Sequence, residues 1–321
     1  MTKNEFLDAL SAAIEQQPWH WYRFHADSWR AGRIEPLFDA LATVAASADA
    51  KLPGFSRRLI QSLSAVSGRK KDTRDFEQLM QAIAEATVVS HVVLFDGWPA
   101  GMTFELEPTA AGSKKNPEII VRGPAGNIGI EVKAPGLTEH RMHRESRPVQ
   151  ATYRGSLPLR PDVTPPRDNP VKDFLVSADA KFASFKAADA NFVGILVIMW
   201  DDHIYEPITA LVHPLSGLLT ENSFLRDEND SAVKFPNITA VVLIRHLHQI
   251  AQAAAGRPQL DGCQHALDYG KPGFPFKVAV PDGVVATLPN PLVNCLQLLE
   301  RDPMMGAEYE PQDIVWWLGG A

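Results

Sequence analysis

An α/β fold, with a mixed sheet flanked by helices and a helical N-terminal part, is predicted by three features of the 321-residue sequence. Apolar residues recur at helical spacing in the first part of the chain. From Thr103 the period changes to the two-residue alternation of half-buried strands. The run FVGILVIMW, Phe192 to Trp200, is unbroken in its apolarity, as a strand covered on both faces requires. A hydrophobic content of 45% with 21% charged residues is ordinary globular composition, enough for one large domain or two smaller ones.

Phe6, Leu10 and Ile14, and then Leu37, Leu41 and Val44, mark helices broken at Pro18 and Pro53. The polar stretch Ser67 to Thr73 is the best boundary, which makes residues 1–72 a helical N-terminal region. Asp72 or Thr73 can cap a helix from about Arg74 to Leu94. After Gly97-Trp98-Pro99 three short strands are expected, Thr103 to Glu107, Glu118 to Arg122 and Ile128 to Ala134. Pro135 to Pro170 holds seven prolines and shows no clear period, so it reads as a long loop of the kind that carries function. Val171 to Ala188 places Phe174, Ala178, Phe182 and Phe185 on one helical stripe ahead of the apolar strand. Further strands are expected at Ile208 to Val212, Ile238 to Ile244 and Phe276 to Val280. Helix, three strands, helix and strand in this order imply a core over 73–250. Residues 251–321 would then be a C-terminal extension packed on that core.

The N-terminus has acidic residues where a secretory signal has basic ones, and the longest apolar run is nine residues against the roughly 20 that a membrane span needs. Neither export nor a membrane is expected. Cys263 and Cys295 match no zinc spacing and are too few for a disulfide framework, so a cytoplasmic setting is the simplest. A net charge of -7 means that any phosphate-binding surface must be a local patch.

The chemistry concentrates in GNIGIEVKAPG. Ile128, Ile130 and Val132 alternate with Gly129, Glu131 and Lys133, so the apolar residues face a core while the acid and the base project together, roughly 6 to 7 Å apart along the strand. The preceding strand opens Asn116-Pro117-Glu118, and a short hairpin through Gly123 to Gly126 brings Glu118 towards Glu131. Adjacent carboxylates repel unless a cation neutralises them, and a site of oxygen ligands suits Mg²⁺ or Mn²⁺. A lysine beside them could polarise an attacking water, which gives hydrolysis of a phosphodiester.

A proline-acid pair opening one strand, Glu-x-Lys on the next, a helix before and a helix-strand unit after resemble the PD-(D/E)xK, or restriction-endonuclease-like, nuclease superfamily over about 130 residues. That resemblance implies a metal-dependent nuclease acting on nucleic acid, DNA in the first instance, in a bacterial defence, repair or mobile-element setting. It assigns Glu118, Glu131, the carbonyl of Val132 and the helical Glu85 to the metal, and Lys133 to the nucleophile. Glu85 fits the family spacing better than Glu77. The family's first acid is usually Asp, and the extra methylene of Glu118 shifts the carboxylate by roughly 1.3 to 1.5 Å.

Arg141, Arg144 and Arg147, in a segment whose six arginines less four carboxylates leave about +2, could grip phosphates. Lys181 on the following helix could contact a nucleic-acid backbone, although a solvated helix face is the simpler reading. Glu107 could also reach the site. His140 and His143 lack the companion cluster of a zinc site, and Ser216 lacks a nucleophile elbow. Trp316 and Trp317 read as anchors of a terminal segment. Two other readings stay open: a catalytically silent nuclease fold that binds nucleic acid or protein, and a non-enzymatic α/β assembly protein. A homodimer is compatible with any of them.

Overall fold

The computed structural model describes residues 1–318 apart from 33–35, 70, 110–115, 125, 137, 147–148, 154–161, 163–166, 202–204, 255–258, 260–262, 266 and 302–313. Four helices lead: α1 (Lys3–Glu15), α2 (Arg23–Arg30), α3 (Pro36–Lys51) and α4 (Phe55–Ser64). Thr2 and Glu5 form a reciprocal capping box at the start of α1. The long α5 (Thr73–Leu94) is capped by Asp72, whose carboxylate accepts from the Asp75 N–H. Then come β1 (Thr103–Leu106), β2 (Ile119–Gly123), β3 (Gly126–Lys133), α6 (Thr138–Glu145), β4 (Val149–Tyr153), α7 (Asp168–Ala188) and β5 (Val193–Trp200). The chain continues as α8 (Tyr205–Val212), β6 (Ala240–Arg245), α9 (Leu247–Ala254), β7 (Lys277–Val280), α10 (Asn290–Leu296), β8 (Leu299–Glu300) and β9 (Ile314–Leu318).

Seven strands form one mixed sheet in the order β1-β2-β3-β5-β6-β7-β8. The β1-β2-β3 meander is antiparallel, β3-β5 and β5-β6 are parallel, β6-β7 is antiparallel and β7-β8 parallel. The parallel centre explains the apolar run in β5. Ile195, Val197 and Met199 enter the core on one face, with α1, α3, α4, α5, α9 and α10, while Leu196, Ile198 and Trp200 enter the other, with α7 and α8. The first of these cores draws residues from Phe6 to Leu298, so it spans both expected boundaries, near 72 and near 250. Strands β7 and β8 extend the sheet beyond residue 250, whereas β9 pairs with β4 as a separate antiparallel ribbon, Trp317 opposite Gln150.

Two expectations need correction. Ile208 to Val212 is not a strand but part of α8, because Ile208, Leu211 and Val212 fall at helical spacing and a five-residue apolar window is too short to tell the two periods apart. Pro135 to Pro170 is not loop throughout: α6 and β4 lie within it. Short elements bounded by prolines leave too few residues for a period to register.

Gly129 and Gly194 face each other across β3 and β5. A Cβ at Gly129 would stand 2.4 Å from Phe192 Cζ, and one at Gly194 2.8 Å from Phe182 Cδ2, so the two glycines make the hollow in which these rings sit. This seat fixes the height of α7 over the sheet.

A buried polar knot ties the start of α7 to the end of β5 and the start of α8. The Arg167 backbone N–H, Nε and Nη2 donate to the Glu206 carboxylate at 2.5, 2.9 and 2.6 Å, and Nη2 also donates to both Asp201 oxygens at 3.0 Å. The guanidinium centre lies 4.5 Å from the Trp200 ring centroid. These acids hold the Arg167 guanidinium charged in spite of its burial.

Further along the sheet, the buried Lys277 ammonium donates to the Lys271 carbonyl at 3.0 Å and to Gln297 Oε1 at 2.8 Å, with its pKa lowered to about 8 by burial. Beside it, His91 stacks on Tyr269 at 3.8 Å, and its Nε2 lies 2.6 Å from the Cys295 carbonyl. Burial lowers the His91 pKa to about 4. A histidine whose folded pKa is depressed contributes stability that is complete above its unfolded pKa, about 6.5, and is lost as the pH falls towards the folded value. His91→Gln is therefore expected to lessen the loss of stability between about pH 6.5 and about pH 4 by about 3 kcal/mol. Urea unfolding of both chains across this range measures it, and equal slopes would contradict it.

Candidate active site

The candidate acids meet at the seam between β2, β3, α5 and α7. Alternation in β3 is as expected: Ile128, Ile130 and Val132 enter the core beneath α5, and Glu131 turns to the opposite face, with no exposed surface at all. Glu118 lies one residue before β2, still inside the ladder, since its N–H donates to the Ile130 carbonyl at 3.1 Å and its carbonyl accepts from the Glu107 N–H at 2.9 Å.

Lysines bind the acids together. Lys133 Nζ and Lys181 Nζ each stand 2.6 Å from the same Glu131 Oε1, and Lys181 Nζ is also 3.7 Å from Glu118 Oε1. One amine within reach of both carboxylates puts Glu118 and Glu131 on the same side of the sheet. Glu131 Oε2 is buried and has no hydrogen-bond partner. Lys181 is thus not on a solvated helix face but inside the site, carried there by the seating of its neighbour Phe182 over the glycine hollow.

Glu85 comes from α5 and is held by Gln81, whose Nε2 donates to Glu85 Oε1 at 2.7 Å and to the Val132 carbonyl at 2.8 Å, while its Oε1 accepts from the Ala134 N–H at 2.6 Å. Gln81 therefore stitches α5 to the end of β3, a role no sequence pattern announces. The Val132 carbonyl keeps a second lone pair. Glu77 serves elsewhere, accepting from the Thr138 N–H at 3.3 Å where the chain leaves β3.

The electrostatic cost of this gathering is visible. Burial, and then repulsion from Glu85 and Glu131, push the Glu118 pKa up to about 8. Burial likewise raises Glu85 against the pull of Gln81. Burial opposes the charge of Lys133, but Glu131 and its hydrogen bond outweigh it, so the Lys133 ammonium is held above its ordinary range and acts as a donor. Among the described residues, no three His, Cys, Asp or Glu side chains are disposed to hold a cation as they stand. The two ammonium groups take that place at Glu131 Oε1.

An open cleft runs from these acids to the N-terminal helices, lined by Phe55, Arg58, Leu59 and Ser62 of α4, Ala82, Glu85, Ala86 and Val89 of α5, and Leu106, Glu107 and Glu118. Glu107 faces the cleft rather than joining the three acids. It follows the last residue of β1 at φ 44°, and Arg58 holds its carboxylate through Nε at 2.6 Å. Sequence reasoning did not find Arg58, because α4 reaches the site only through the tertiary packing of the N-terminal helices.

Comparison of the chain with family models, with curated proteins and with solved structures finds no match. Arg141 and Arg144 lie on α6, which follows the Glu-x-Lys strand, but their side chains and the whole of Arg147 lie outside the described residues. Among the described residues, no helix is long and apolar enough to cross a membrane.

Proposed function

We propose that this chain is a divalent-cation-dependent nuclease with a restriction-endonuclease-like core, acting on DNA. The observation that carries the reading is Glu131: a wholly buried carboxylate with one oxygen unpartnered, beside the half-buried Glu118 and Glu85 and two lysines. A solvent-free carboxyl oxygen without a donor costs free energy, and a hard cation is the ligand that would remove that cost at Glu131 and offset the repulsion among the three acids at once.

Glu131, Glu118, Glu85 and the Val132 carbonyl would hold Mg²⁺ or Mn²⁺. The cation would supply positive charge against the charge that develops on the phosphate oxygens. Lys133, kept protonated by Glu131, donates to the attacking water or to a phosphate oxygen, and Gln81 fixes both the Glu85 carboxylate and the carbonyl after Glu131. Arg58, half exposed and held by Glu107 at the mouth of the cleft, can exchange that carboxylate for a phosphate. The Arg141 and Arg144 helix adds cationic residues next in sequence to the catalytic strand.

A second reading has its own support: with two ammonium groups at 2.6 Å, Glu131 is already neutralised, as in a silent nuclease fold that only binds nucleic acid or protein. One experiment separates the two. Purified protein is incubated with supercoiled plasmid with and without Mg²⁺ or Mn²⁺, alongside Glu131→Ala. Nicking that needs the cation and disappears in the variant is expected. Absence of cation-dependent nicking by the unmodified chain overturns the enzyme reading.

A further inference from the structure

Resting on the metal-site reading above, we propose that Lys181 is an exchangeable counter-ion of the site: it neutralises Glu131 and Glu118 while no cation is bound, yields these carboxylates to the cation, and then turns to a non-bridging oxygen of the phosphodiester.

Three observations lead there. First, Lys133 and Lys181 are redundant at one atom. Both ammonium groups contact Glu131 Oε1 at 2.6 Å, while Oε2 of the same buried carboxylate has no partner. A permanent structural pair would satisfy the two oxygens separately, since each buried oxygen left without a donor carries a cost. Two amines crowded on one oxygen are instead the arrangement of a site organised for a different, more highly charged occupant.

Second, the two lysines differ in their freedom. Lys133 is two residues from Glu131 on the same strand, and its backbone is held in the parallel ladder opposite Ile198. Lys181 comes from a helix across the site, its backbone fixed by the Phe182 seat, with its amine at the end of a four-carbon stem and one fifth of the side chain exposed. Its ammonium has three protons, of which one reaches Glu131, and Glu118 at 3.7 Å is beyond hydrogen-bond distance. The stem can therefore swing outward without moving the helix.

Third, the charges balance only if one amine leaves. Glu85, Glu118 and Glu131 with a divalent cation and Lys133 sum to zero, whereas retention of Lys181 would leave one positive charge in a buried site and hold an ammonium against the ion. Like charges at this range repel strongly in a partly desolvated setting. A polyanion arriving at the mouth of the site gives the displaced ammonium a new partner, which makes cation and phosphate binding mutually favourable through this one side chain.

The test measures Mn²⁺ binding to the full chain without nucleic acid, by the loss of the free-ion electron paramagnetic resonance signal. Lys181→Gln removes the competitor and is expected to bind Mn²⁺ roughly ten-fold more tightly than the unmodified chain, while Lys181→Arg, which keeps the charge, stays near it. Because a variant can fail to fold, the unmodified chain is also labelled with acetic anhydride. Acetylation of Lys181, read by peptide mass spectrometry, should rise several-fold when Mn²⁺ is present. Equal or weaker Mn²⁺ binding by Lys181→Gln, or a Lys181 labelling rate indifferent to Mn²⁺, overturns the proposal and leaves the metal site standing. If neither the unmodified chain nor Lys181→Gln binds Mn²⁺, the proposal and the nuclease reading fall together.

Discussion

Lys133→Ala is expected to lower the rate of cation-dependent plasmid nicking by about 10²- to 10³-fold, the usual consequence of removing one charged donor from the place where negative charge develops. The ammonium is held charged by Glu131, so its service is donation, not proton abstraction. Lys133→Arg should recover little, since a planar fork cannot stand where a compact ammonium reaches Glu131 at 2.6 Å from the same strand. Because the effect belongs to the reacting state, it should fall on kcat with little change in KM. Single-turnover nicking at saturating protein measures it. A rate within about three-fold of the unmodified chain would remove Lys133 from the reaction, since donors of this kind are worth far more.

Arg167→Met is expected to cost about 3–5 kcal/mol of stability, because it leaves the buried Glu206 and Asp201 carboxylates together without their guanidinium. The penalty comes from uncompensated charge and not from a lost contact, so Arg167→Met combined with Glu206→Leu and Asp201→Leu should be far milder than Arg167→Met alone. Guanidinium chloride unfolding of the single and triple variants provides the comparison. A cost below about 1 kcal/mol for Arg167→Met would show that the knot behaves as a surface pair does. Since it joins α7 to the end of β5, its loss would also loosen the helix that carries Lys181.

What was legible in the sequence was whatever a local period encodes. Alternation in β3 fixed which face Glu131 takes, the unbroken apolarity of β5 announced its burial on both sides, and the short connection between β2 and β3 brought Glu118 to Glu131. The assignment of Glu85 over Glu77 followed spacing alone, and the structure puts Glu85 beside the acids and Glu77 at the exit from β3. What escaped depends on how elements dock. Lys181 looks solvated on a helical wheel, and only the glycine hollow under Phe182 and Phe192 determines that α7 sits close enough to deliver it. Glu206 escaped with α8 itself, whose short apolar window read as a strand. Gln81 and Arg58 are polar residues on helices, without a pattern, and gain meaning only from what they face.

The cleft wall contributed by α4 has a consequence for how such a chain can be divided. Phe55 and Leu59 are sealed into the same apolar mass as Ile83, Val89 and the sheet, and Arg58 reaches Glu107 from that wall. A fragment starting at Thr73 would retain every carboxylate and amine of the site, yet it would present the bared flank of α5 to water and invite clumping. The N-terminal helices form one wall of the cleft and share its core, so recombination could not exchange them independently of α5 and the sheet.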